Sequence, residues 1–81
     1  MDPEERADAE ILVDARGLKC PLPVLKLEKA LADGPEKGRI VVLATDPVAR
    51  IDIPHYCRQQ GLDVVIEPAA GGAMRFAVTK T

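Results

Sequence analysis

The stretch GLKCPLPVLKLEKALADG, residues 17–34, decides how the rest of the chain is read. It sets a cysteine beside two prolines, Pro21 and Pro23, and then runs into residues of helix-forming composition. From Pro21 onward the apolar residues Val24, Leu27 and Leu31 fall at i, i+3 and i+7, with Lys26, Lys29 and Asp33 on the other side. That spacing predicts an amphipathic helix over residues 21–33. Gly34 and Pro35 follow in the order of a C-cap and a stop. The first N–H groups of a helix have no intrahelical partner, so prolines in its first turn sacrifice no hydrogen bond. On this reading Cys20 is the N-cap, Pro21 is N1 and Pro23 is N3.

Working outward, residues 11–13 (ILV) form a short apolar run closed by Asp14-Ala15-Arg16-Gly17, the pattern of a first strand. Residues 39–45 (RIVVLAT) are β-branched and nearly continuously apolar, as expected of a strand buried on both faces or in the middle of a sheet. Asp52-Ile53-Pro54 offers a second N-cap with proline in the first turn, so the second helix is expected from there to Gln60, closed by Gly61. Whether one turn precedes Asp52 is open, because Asp46-Pro47 can also start a helix whereas Pro54 argues against a long unbroken one. Residues 62–67 and 74–79 read as two strands joined through residues 68–72 in a hairpin. The order βαβαββ predicts an α/β (α+β) two-layer sandwich: a four-stranded mixed sheet with two helices on one face. Helical crossovers allow parallel neighbours among the first three strands, and the hairpin makes the last one antiparallel.

With 81 residues the chain is expected to hold a single domain over residues 11–81, preceded by a mobile acidic tail over residues 1–10. Tyr56 and Phe76 are the only aromatics, so the core must be aliphatic. The shortage of rings and a formal charge of -2 argue against direct nucleic-acid binding, which draws on stacking and phosphate attraction. No apolar run approaches the ~20 residues that span a bilayer. The start MDPEERADAE lacks the basic and apolar regions of a secretory signal. A cytoplasmic protein with reduced thiols is the expectation, with no membrane partner and no disulfide between Cys20 and Cys57.

Cys20 then carries the chemistry. At a helix N-terminus, with Arg16 and Lys19 beside it, its thiol is expected to ionise below the ordinary value. Gly17 supplies the backbone freedom needed to turn from strand to helix. No second cysteine stands at CxxC spacing, since Pro23 occupies that position, so a dithiol mechanism is excluded. His55 belongs to another element and offers no convincing general base. His55 and Cys57, two apart, point to different helix faces, which argues against a metal site. What one activated sulfur can do by itself is accept another sulfur atom and hold it as a persulfide. The plainer reading makes Cys20 a small buried hydrophobe, and for Cys57, mid-helix, that reading is preferred. Arg16, Lys19, Lys26 and Lys29 are either solvated charges or a docking patch around the cysteine. Asp46 is most simply a cap or turn residue.

The segments DARGLKCPLPVLKLEKAL (residues 14–31) and LATDPVARIDIPHYCRQQGLDVV (residues 43–65) resemble the two signature blocks of the TusA/SirA-like sulfurtransferase family. The first block is that family's CPxP motif and following helix; the likeness extends from Ile11 to Lys80. It implies a small βαβαββ domain related to the C-terminal domain of translation initiation factor three. It further implies that Cys20 takes persulfide sulfur from a cysteine desulfurase or related donor and hands it to an acceptor protein. The sulfur would serve tRNA 2-thiolation, a molybdenum-cofactor enzyme or sulfur oxidation. No cofactor of its own is implied. Leu22 departs from the tRNA-thiolation branch, which commonly carries an acidic residue between the prolines; the change bears on partner choice. The rival reading from another class is a non-catalytic regulatory interaction module in which Cys20 is structural.

Overall fold

Four consecutive apolar residues, Ile40 to Leu43, cannot all face one side of a strand, so this segment needs cover on both faces. It finds that cover at the centre of a sheet. The computed structural model of the chain describes residues 10–34 and 38–80. The elements run β1 (Glu10–Ala15), α1 (Leu22–Asp33), β2 (Gly38–Ala44), α2 (Ala49–Gln59), β3 (Asp63–Pro68) and β4 (Met74–Lys80). The strands lie in the order β1-β2-β4-β3. β1 and β2 are parallel, while β4 runs antiparallel to both β2 and β3. The fold class is the one the βαβαββ pattern predicts. Of the parallel neighbours expected among the first three strands, only β1 and β2 form a pair. β3 stands at the far edge because the hairpin strand β4 inserts between it and β2. The tail expected over residues 1–10 lies outside the described residues except for Glu10, which opens β1; Pro35 lies outside them as well.

The register builds the core row by row. Val13, Val42, Phe76 and Ile66 align across all four strands on the helix-covered face. Leu27 of α1 with Ile53 and Cys57 of α2 close over that face, all three buried. The opposite face carries the row Leu12, Val41, Ala77 and Val65. Val41 is 2% exposed, whereas Leu12 and Val65 on the two edges are 64% and 58% exposed. An ionic lattice accounts for the difference. Arg75 pairs with Glu67 on β3 at 2.8 Å and reaches Glu10 on β1 at 3.8 Å, so its long side chain spans β2.

The helix ends are local chemistry. α2 closes in a Schellman motif: Leu62 N–H bonds the Cys57 carbonyl at 2.8 Å and Gly61 N–H the Arg58 carbonyl at 3.2 Å, with Gly61 at φ +69°. Gly34 ends α1 in extended conformation (φ -85°), so it is needed for space, not for a left-handed turn. A Cβ there would stand 2.8 Å from the Ala30 carbonyl oxygen and 3.0 Å from Ile11 Cδ1.

One boundary left open by the sequence is decided, and another differs from the expectation above. α2 begins at Ala49, a turn earlier than Asp52, and holds Pro54 in its interior. The early turn is nucleated by Asp46, which accepts Val48 N–H on its carboxylate at 3.0 Å and Ala49 N–H on its carbonyl at 3.0 Å. α1 begins at Leu22, so Pro21 is the N-cap and Pro23 is N2; Cys20 lies one residue outside the helix.

Candidate functional site

Parallel β1 and β2 end in register at Ala15 and Ala44, so the chain leaves both strands at the same edge of the sheet. The loop that carries Cys20 therefore runs beside the loop that starts α2. Two hydrogen bonds join them. Gly17 N–H donates to Thr45 Oγ1 at 2.9 Å, and Cys20 N–H donates to the Asp46 carboxylate at 2.8 Å. Gly17 sits at φ +80°, a left-handed turn that glycine adopts without strain. A further turn is closed by Leu22 N–H on the Lys19 carbonyl at 2.9 Å, across a cis Cys20–Pro21 peptide bond. Between the loops lies an open cleft of about 670 Å³ lined by Leu18, Lys19, Cys20, Thr45, Asp46 and Val48, among others.

Cys20 is half-buried in this cleft, and Cys57 is fully buried under the helices. Burial pushes the Cys57 thiol above its ordinary value. The Cys20 thiol is also pushed up, to about 11, first by desolvation, then by its hydrogen bond to the Asp52 carboxylate and by the charges of Asp52 and Asp46. This corrects the expected direction. Two things defeat the helix-dipole argument. At this helix start Pro21 and Pro23 carry no N–H and that of Leu22 is spent on Lys19, so little is left to solvate an anion. The charges that act on the thiol are also acidic instead of basic. The Arg16 guanidinium is forked onto Asp14, with Nε and Nη2 both at 2.8 Å from carboxylate oxygens. That pair holds the Asp14 carboxyl down at about 2. Lys19 acts on Asp46, whose carboxyl is lowered chiefly by the Cys20 and Val48 N–H donors.

The remaining basic residues are spread along α1. Lys29 pairs with Asp33 at 3.4 Å, while Lys26 lines a separate groove beside Asp14. Of the four basic residues, Lys19 lines the cleft, Lys26 and Lys29 line the groove beside Asp14, and Arg16 pairs with Asp14 itself, so carboxylates accompany them. Leu22 and Leu25 of α1, and Val48 and Ile51 at the start of α2, are large apolar side chains left exposed. Reading the sequence missed Thr45 as a partner of the Cys20 loop and Asp52 as a charge acting on the thiol, and saw only half of what Asp46 does. The usable signal was the parallel pairing of β1 and β2, which obliges the two following loops to meet.

The model of the family described as Sulfurtransferase TusA matches residues 11–80. The chain belongs to the TusA sulfurtransferase family. It is similar to the sulfur carrier protein TusA of Pseudomonas syringae pv. syringae, 38% identical over 79 residues that cover 98% of this chain and 94% of that protein. The TusA of Pseudomonas fluorescens is 34% identical over 80 residues, covering 99% and 96%. Among solved structures, the crystal structure of a SirA-like protein from Desulfitobacterium hafniense superposes with a TM-score of 0.77 at 27% identity, covering 85% of this chain and 95% of that one. The TusA family thus accounts for nearly the whole chain, with both signature blocks facing the same cleft.

Proposed function

We propose that this protein is a cytoplasmic sulfur carrier that receives persulfide sulfur on Cys20 from a donor protein, such as a cysteine desulfurase, and relays it to an acceptor protein. The observation that carries the reading is the contrast between the two cysteines: Cys20 opens onto a cleft and Cys57 is sealed in the core. Membership of the TusA family supports it. Gly17, Pro21 and Pro23 serve as the mount that holds the sulfur at the helix entry.

The transfer balances without oxidant, reductant or cofactor. The Cys20 thiolate attacks the outer sulfur of the donor's persulfide, and the bond from that sulfur to the donor's Sγ breaks with its electron pair going to the donor. The proton given up by Cys20 is matched by the one the departing donor thiolate takes up. Delivery repeats the step with Cys20 as leaving group. Relay needs two proteins to bring their sulfurs together and then part. The exposed apolar residues Leu22, Leu25, Val48 and Ile51 provide the contact, with Lys19, Lys26, Lys29 and Arg16 as a charged rim that speeds association.

The test is mass spectrometry after exposure to a cysteine desulfurase and cysteine. Cys57→Ala should gain the mass of one sulfur and Cys20→Ser none. Labelling that survives in Cys20→Ser would remove Cys20 from the mechanism and favour the regulatory-module reading.

A further inference from the structure

Two carboxylates border the reactive sulfur from outside its own loop. Asp46, at the junction of β2 and α2, lines the cleft with Cys20 and accepts its N–H at 2.8 Å, and the carboxylate of Asp52, a turn into α2, acts on the thiol. Two basic groups could oppose them. Arg16, at the end of β1, is forked onto Asp14. Lys19 lines the same cleft and acts on Asp46. Ionising the thiol here would set a third negative charge beside two existing ones in a partly desolvated cleft.

We propose that Asp46 and Asp52 form an acidic clamp that keeps the Cys20 sulfur a thiol in the free protein, so that it becomes a fast nucleophile only when positive charge on a docked donor offsets the pair. The clamp acts on both halves of the relay. It lowers the thiolate available to receive sulfur, and it makes Cys20 a poorer leaving group for delivery. A carrier built this way neither reacts with stray electrophiles nor sheds its cargo without a partner. Asp46 and Asp52 are positioning residues here, since they act through Cys20 and form no bond to the transferred sulfur.

The inference rests on reading Cys20 as the carrier sulfur, but its test addresses the thiol directly. Alkylation by iodoacetamide is followed against pH in Cys57→Ala, alone and combined with Asp52→Asn or Asp46→Asn. The rate in the parent should climb towards a midpoint near 11. Asp52→Asn should move the profile to lower pH. A midpoint lowered by about one pH unit raises the thiolate fraction about tenfold but lowers thiolate nucleophilicity, for a net gain of about threefold at neutral pH. Asp33→Asn, on the exposed side of α1, should leave the profile in place. Sulfur loading from the desulfurase, whose charge already offsets the clamp, should gain less than alkylation does. Circular dichroism establishes folding, and should Asp52→Asn fail to fold, Asp46→Asn is read in the same way. A parent midpoint at or below that of free cysteine, a profile unmoved by Asp52→Asn, or equal gains in alkylation and loading would overturn the clamp. The pH profile decides the clamp whether or not sulfur is loaded, so failure of the carrier reading is told apart from failure of this one.

Discussion

At the residue scale, small side chains decide what the large ones can do. Gly34 illustrates this, because the space its missing Cβ would fill is taken by the Ala30 carbonyl and Ile11 Cδ1. Gly34→Ala would press on backbone that cannot swing aside, so it should cost about 1–3 kcal/mol, the usual range for overpacking. Chemical denaturation of the two proteins measures this, and an unchanged midpoint would mean that the end of α1 yields freely. Cys20 shows the same dependence on neighbours. Its type and flanking prolines mark it in the sequence, but the state of its thiol follows from desolvation in the folded chain and from two carboxylates that stand 26 and 32 positions further on, at Asp46 and Asp52.

At the element scale, α2 is held by its surroundings against its own composition. Pro54 occupies the sixth position of the helix, where it cannot donate to the Arg50 carbonyl and crowds it instead. An interior proline costs a helix about 3 kcal/mol relative to alanine. The helix survives because Ala49, Ile53 and Cys57 bury one stripe against the sheet and the Schellman turn anchors its end. Pro54→Ala should therefore raise the melting temperature; each 1 kcal/mol regained is worth about 4–8 °C in a domain of this size. A lowered melting temperature would show that the packing of the half-buried ring outweighs the missing hydrogen bond.

At the scale of the whole molecule, the two faces of the sheet are finished in different ways. Helices seal one face. The other is closed at its centre by the side chain of Arg75, held between Glu67 and Glu10. Two valines in one row of that face should then respond very differently to truncation. Val41→Ala, at the sealed centre, should cost about 2 kcal/mol from lost methyl burial. Val65→Thr, at the exposed edge, should stay within about 0.5 kcal/mol. Urea unfolding of both variants makes the comparison, and equal costs would show that the Arg75 span does not shield the centre of the sheet.

What the sequence by itself determined is whatever depends on local pattern. The period of Val24, Leu27 and Leu31 sets α1, the continuous run of residues 40–43 marks the central strand, and the glycines of residues 71–72 close the hairpin. The family likeness rests on the same local blocks, with Gly17, Cys20, Pro21 and Pro23 all legible in the order of residues alone. Three matters were settled only by tertiary structure. β4 lies between β2 and β3, because pairing partners are chosen by burial across the sheet and not by chain order. α2 starts a turn early and tolerates Pro54, because packing energy outweighs helix propensity. The Cys20 thiol is raised and not lowered, first because the packed loops desolvate it and then because Asp46 and Asp52 act on it while Arg16 is already paired.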